Sequence, residues 1–415
     1  MELPVAVLGG GSWGTALARH LAVNGSSVTI WAREEEVAGA INTLHENTVF
    51  LPGFPLPKNL VATTDLKSAV ADKALIVMVV PSEWMRETAR AAAPHVSKGA
   101  VVVSCTKGIE VGTRMTMSDI LREELTTVDP KNVCALSGPS FAKEVAAGFP
   151  TVVTVAASDK LVAGQVQKIF ASPLFRVYTN DDMTGVELAG AVKNVMAIAS
   201  GICEGLGLGA NTRAAVITRG LAELSRLGAA LGAKERTFAG LAGVGDMVLT
   251  CTTSLSRNYS VGVSLGKGEK LSEILAKTRM VAEGVRNARS VYNLSKSVGV
   301  EMPIVDQVYA ILYEDRPPKE AIFALMTRKL RDGGGGGGGG GGGLFWTIYN
   351  CSLPHPLQKT LSYYSAQCLV LFYEEVAPSP RRRPGSRKTA NKAKKLDSGL
   401  RRNDEIGQLP SCKWN

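Results

Sequence analysis

Histidine is scarce in this chain. There are four in 415 residues, and none falls between His95 and His355. Acid–base chemistry in that interval has to use another side chain. The seven cysteines are scattered (105, 134, 203, 251, 351, 368, 412) and form no CxxC pair. That argues against a disulfide framework and against a thiolate metal site. Long apolar runs are absent too. The longest, such as residues 74–80 (ALIVMVV), fall far short of the roughly 18 residues that cross a bilayer. The opening MELPVAVLGGG runs straight into a strand pattern, without the basic, apolar and cleavage regions of a secretion signal. These absences predict a cytoplasmic protein with no membrane span and no metal. What is present, 45% apolar and 20% charged residues, suits a globular chain of two or three domains.

The net charge of +10 is unevenly placed. Residues 344–415 hold 12 basic and 5 acidic residues, while residues 1–332 carry only +3. An unbroken glycine run, 333–343, separates the two. Glycine loses the most entropy on ordering, so the run marks a boundary. The basic tail beyond it could suggest nucleic acid or a membrane surface. It shows no lasting strand or helix period, and is read as a dispensable extension of low order with no nucleic-acid partner.

Residues 5–8 (VAVL) read as a strand. Gly9-Gly10-Gly11-Ser12-Trp13-Gly14 follows at once, with a helical pattern over 15–21 and a second strand over 28–31. A strand, G-x-G-x-x-G, a helix and a strand within about thirty residues is the βαβ fingerprint of dinucleotide binding. Gly9 allows the tight turn, Gly11 lets backbone approach a pyrophosphate, and Gly14 lets helix pack on strand. The second strand ends at Trp31-Ala32-Arg33, before three glutamates. An acid there would read a ribose hydroxyl, whereas Arg33 suits a 2′-phosphate. The cofactor is read as NAD(P), leaning to NADP.

Further strand signals lie at 75–80, 101–105, 133–136, 151–156 and 175–178, with helical stretches at 85–93 and 115–125. The alternation predicts a parallel sheet covered on both faces. Ligands in such sheets sit beyond the carboxyl ends of the strands. Polar loops leave those ends at Pro81-Ser82, Thr106-Lys107-Gly108 and Ser137-Gly138-Pro139-Ser140. Lys107 faces the cofactor cleft in this reading, with an ordinary surface lysine as the alternative.

After Asp182 the periods become helical. Residues 186–199 (VELAGAVKNVMAIA) are apolar around most of the helix, which predicts burial. Lys193 is then a lysine in a core element. Desolvation lowers its pKa toward the range useful for proton transfer, unless its ammonium snorkels outward. With no histidine nearby in sequence, Lys193 is the candidate acid–base. Asp246 follows a glycine-rich turn, as a ligand or a helix N-cap. Ser256-Arg257-Asn258 is a compact donor set suited to phosphate, or an exposed cap and turn.

Together these segments resemble the NAD(P)-dependent glycerol-3-phosphate dehydrogenases of the bacterial and plastid type. The matching stretches are GGGSWGTALA (9–18), SCTKGIE (104–110), LSGPSFAKEV (136–145), ELAGAVKNVMAIASGI (187–202), GLAGVGDMVLTC (240–251), LSRN (255–258) and VAEGV (281–285). The resemblance implies an α/β Rossmann domain (1–182), then an all-helical domain like that of 6-phosphogluconate dehydrogenase (183–332), in a homodimer. It implies contacts to the dinucleotide from Ser12, Trp13, Arg33, Lys107, Ala142, Arg257, Val281 and Glu283. Glycerol phosphate would be held by Lys107, Gly138, Ser140, Asp246, Ser256, Arg257 and Asn258, with Lys193 moving the proton. The implied role is to supply glycerol 3-phosphate for phospholipid synthesis. Related hydroxy-acid or sugar-acid reductases, and a nonenzymatic dinucleotide sensor, are the rival readings.

Overall fold

The computed structural model describes residues 2–277 and 283–328. The expectations for Val281 and for 333–415 lie outside the described residues. Eight strands form one sheet: β1 (Pro4–Leu8), β2 (Ser27–Trp31), β3 (Leu60–Thr63), β4 (Leu75–Met78), β5 (Val101–Ser104), β6 (Val133–Ser137), β7 (Thr151–Ala157) and β8 (Phe175–Asn180). Between them run α1 (Ser12–Val23), α2 (Glu35–Leu44), α3 (Leu66–Val70), α4 (Met85–Ala92), α5 (Met117–Glu124), α6 (Ala142–Ala146) and α7 (Lys160–Phe170). The rest of the described chain is helical: α8 (Met183–Gly205), α9 (Gly209–Ala230), α10 (Glu235–Phe238), α11 (Asp246–Cys251), α12 (Arg257–Gly266), α13 (Leu271–Ala276), α14 (Glu283–Ser297), α15 (Pro303–Tyr313) and α16 (Pro318–Met326).

Alternation along the strands builds two cores. Val5 and Val7 join one buried cluster with α1 and α7, while Ala6 and Leu8 join the other with α4 and α5. A strand buried on both faces reads as a continuous apolar run, as 5–8 does. The sheet order is β3-β2-β1-β4-β5-β6-β7-β8. The first six strands follow the Rossmann order, with its switch point between β1 and β4.

Two features depart from the sequence reading. β3 had no recognised signal, because its four residues (LVAT) lack a long apolar run. The sheet is also not wholly parallel, since β7 runs antiparallel to β6 and parallel to β8. The connector from β6 to β7 holds only the short α6, which packs beside α1. A parallel return needs a full crossover, which this connector does not make.

α8 is buried at every position from Val186 to Cys203. Among the described helices it alone is long and apolar enough to cross a membrane, and its apolar window lies wholly inside the protein. Ile109, Ala135 and Ala156 from the sheet half share its core cluster. Glu187 of α8 accepts from the Ser118 backbone N–H (2.8 Å) and hydroxyl (2.6 Å) in α5. α12 crosses α8 very closely. A Cβ on Gly201 would stand 2.0 Å from the Tyr259 carbonyl oxygen, and one on Gly262 would stand 2.2 Å from that of Ile198.

Glu223 of α9 caps a different helix, accepting from the backbone N–H groups of Ile304 (2.8 Å) and Val305 (3.3 Å) at the start of α15. Burial pushes its carboxyl up to about 7, against the pull of those donors. A folded-state pKa above the unfolded value means stability present in acid and lost as pH rises through it. The melting temperature should therefore fall by several degrees between pH 5 and pH 8 on account of this group. Glu223→Gln should flatten that slope in thermal unfolding. An unchanged slope would show that Glu223 does not titrate there.

Candidate active site where sheet and helices meet

The glycine turn has the shape that the fingerprint requires. Gly9 has φ +127°, and a Cβ there would lie 2.9 Å from the Val79 backbone. A Cβ on Gly14 would lie 2.0 Å from the Gly9 carbonyl oxygen, so α1 packs directly on the turn. Around Gly11 a Cβ would meet nothing within 4 Å. No side chain caps α1, which leaves its first N–H groups facing that space. A helix N-terminus with free donors and open room fits a pyrophosphate. The Ser12 hydroxyl donates to the Phe50 carbonyl at 2.7 Å, which leaves the backbone N–H as its donor toward a phosphate. Trp13 Nε1 is buried without a partner. Asn47, which the sequence did not single out, donates to the Gly10 carbonyl and to Thr15 Oγ1, both at 2.8 Å.

At the adenosine end, Arg33 is exposed beyond β2. Its guanidinium stands 5.3 Å from the centre of the Trp84 ring and 3.6 Å from the Glu34 carboxylate. Ala142 opens α6 and packs, like Trp13, on the core beneath the glycine turn.

The chemistry-bearing residues converge from four elements. Asp246 lies at the first position of α11, after a π-helical turn over Leu241–Gly245. It does not cap the helix. Its Oδ1 pairs with Lys193 Nζ of α8 at 2.6 Å, and its Oδ2 with Lys107 Nζ at 2.7 Å. Lys107 also donates to the Gly138 carbonyl at 3.1 Å, and the Ser140 hydroxyl donates to the same oxygen at 3.0 Å. Thr250 completes the cluster. It accepts from Lys193 Nζ at 2.9 Å and donates to Asp246 Oδ1 at 3.2 Å. Sequence reasoning missed Thr250, although its spacing of four from Asp246 on a helix puts both on one face.

Lys193 does not snorkel; its side chain is 8% exposed and Asp246 is 1% exposed. Burial lowers the Lys193 pKa to about 8; Asp246 opposes that shift and Lys107 adds to it. Burial opposes ionisation of Asp246, but the two ammoniums overcome it and hold the carboxyl below its usual range. One carboxylate thus keeps two lysines close while burial leaves one of them near its titration point.

The Ser256-Arg257-Asn258 set divides. Ser256 is the buried N-cap of α12, accepting from the Tyr259 N–H at 3.3 Å. Asn258 donates to Asn194 Oδ1 and accepts from the Gly284 N–H, both at 2.9 Å, which locks α8, α12 and α14 together. Its amide is therefore largely engaged within the fold. Arg257 is exposed at the start of α12, and its charge faces Glu283. Burial raises the Glu283 carboxyl pKa in spite of Arg257, Lys107, Lys193 and Arg286 nearby.

Comparison with known proteins gives the family. Residues 4–163 match the family model described as NAD-dependent glycerol-3-phosphate dehydrogenase N-terminus, and residues 182–323 match the one described as its C-terminus. A glycerol-3-phosphate dehydrogenase (NAD(P)+) of Geobacter sp. (strain M21) is 54% identical over 331 residues, covering 80% of this chain and 99% of that protein. That of Citrifermentans bemidjiense is 53% identical with the same coverage. The crystal structure of glycerol-3-phosphate dehydrogenase from Coxiella burnetii is 41% identical with a TM-score of 0.76, covering 79% of this chain and 99% of that one. Two consecutive family models in their proper order, and relatives more than half identical matched over almost their whole length, show that this chain belongs to the NAD-dependent glycerol-3-phosphate dehydrogenase family.

Proposed function

We propose that the chain interconverts dihydroxyacetone phosphate and sn-glycerol 3-phosphate with NAD(P), using Lys193 as the group that moves the proton. The observation that carries this reading is the buried Lys193–Asp246–Lys107 cluster at the carboxyl end of the sheet. When bound, the nicotinamide supplies or takes the hydride at C2. In reduction, the Lys193 ammonium gives a proton to the carbonyl oxygen as it becomes an alkoxide. In oxidation the neutral amine takes the hydroxyl proton. A pKa near 8 keeps both forms populated close to neutral pH, which is where general acid–base catalysis works best.

Lys107 adds a second positive charge toward the same oxygen. Asp246 and Thr250 fix the direction of the Lys193 ammonium, so little reorganisation accompanies proton transfer. Arg257, at a helix N-terminus, grips the substrate phosphate and supplies remote binding energy that positions the carbonyl. Ser140 and the Gly138 backbone line the substrate side near Lys107. The free N–H groups at the start of α1 hold the pyrophosphate. Arg33 takes the adenosine end, and its charge favours the 2′-phosphate of NADP. Family membership further supports a cytoplasmic homodimer that feeds glycerophospholipid synthesis.

The test is the change in reduced-nicotinamide absorbance with dihydroxyacetone phosphate and each cofactor. Turnover is expected with dihydroxyacetone phosphate and not with unphosphorylated dihydroxyacetone or small keto acids. Equal rates on all three would favour a general hydroxy-acid reductase. In the same assay, Arg33→Ala should raise KM for NADP(H) about ten-fold and leave KM for NAD(H) nearly unchanged. An equal change in both would remove Arg33 from phosphate recognition.

A further inference from the structure

Lys107 sits on a loop, and its aim depends on how that loop is held. Contacts from the sheet half hold it on either side of the lysine. The Thr106 hydroxyl donates to the Val80 carbonyl at 2.6 Å. Arg86 of α4 grips both carboxylate oxygens of Glu110, each at 2.9 Å. Neither contact relates Lys107 to Lys193, which belongs to the helical half.

Asp246 links the two side chains, and Asn287 of α14 links the Lys107 main chain to the helical half. It is fully buried (0% exposed), and its Nδ2 donates to the Lys107 backbone carbonyl at 3.2 Å. The same nitrogen lies 3.5 Å from the carbonyl of Ala191, two residues before Lys193 on α8. Asn287 Oδ1 is buried without a partner, so the fold keeps this carboxamide at a desolvation cost that an apolar side chain would not carry. α8 also lies directly on the lysine stem, for a Cβ on Gly190 would stand 3.3 Å from Lys107 Cγ. The Lys107 main chain is thus tied by one amide to the two helices that carry Lys193 and Glu283.

We propose that Asn287 is a positioning residue for the reaction: it holds the Lys107 main chain against α8 and α14, and so keeps Lys107 Nζ on Asp246 and on the substrate oxygen. This rests on the role given to Lys107 above. A displacement of a reacting group by about 1 Å costs up to about 10²-fold in rate, so the loss of one tether should be visible in kinetics.

The experiment is a double-mutant cycle of Asn287→Ala with Lys107→Met, together with crystal structures of both single variants. Asn287→Ala is expected to lower kcat/KM for dihydroxyacetone phosphate about ten-fold in the wild-type background, with NADPH affinity nearly unchanged. In the Lys107→Met background it should cost almost nothing further, because the residue it aims is gone. In the crystal, Lys107 Nζ should have left Asp246. The proposal is overturned if Asn287→Ala matches wild type, if it costs the same factor in both backgrounds, or if its Lys107–Asp246 pair is intact. Should Asn287→Ala not fold, Asn287→Ser is read in the same way. If Lys107→Met alone keeps the full rate, the catalytic reading of Lys107 fails. The crystal arm still decides whether Asn287 holds the loop.

Discussion

Lys193→Ala should lower turnover by about 10²-fold or more while leaving binding of the reduced nicotinamide cofactor nearly intact. The lysine is buried on α8, whereas the proposed phosphate site is the turn before α1, so binding of the dinucleotide phosphates should not depend on it. In the proposed mechanism, its loss removes the proton donor of reduction and the acceptor of oxidation together. The truncation leaves room beside Asp246 and Thr250, the groups that held the ammonium. Small primary amines added to the buffer should therefore restore part of the rate, in proportion to their basicity. Lys193→Met fills the space without the amine and should not be rescued. Turnover within a few-fold of wild type, in steady-state assays of either direction, would remove Lys193 from the mechanism.

Asp246→Asn is expected to be nearly as damaging, and its signature is a displaced pH profile. The carboxylate sits between two ammoniums, at 2.6 Å and 2.7 Å. Without its charge, burial and the Lys107 charge both push the Lys193 pKa further below about 8. Reduction needs the ammonium form. Its rate should therefore fall about 10²-fold at pH 8, and the alkaline limb of kcat should move to lower pH by about two units. Part of the activity should return as the buffer is acidified. The variant should also melt at lower temperature, because removing one partner leaves buried charge uncompensated. An alkaline limb that stays where the wild type has it would show that another group controls that ionisation.

Several features were legible in the chain because they are local. The glycine turn depends on residues a few positions apart: Gly9 and Gly14 make the close backbone contacts that their spacing implies, and Gly11 borders open space. The burial of α8 was legible because almost nothing polar interrupts residues 186–199, so no face could be left in water. Seven of the eight strands were read from their own residues; β3, only four residues long, was not, and it pairs with β2. The reversal of β7 could not be read, because strand direction is decided by where the connector packs and not by the strand's own residues.

Composition and pattern alone determined that the first half carries a dinucleotide-binding fingerprint, that the second half is helical, and that one core lysine stands where no histidine competes. Only the folded chain decided what that lysine would meet. Lys193, Asp246, Lys107 and Asn287 are far apart in sequence, and their hydrogen bonds form only when α8, α11 and α14 close over the ends of β5 and β6. A helical period says which face is buried, but the partner across that face is chosen by packing. The pKa of a buried amine depends on that partner, and no reading of its immediate neighbours supplies it.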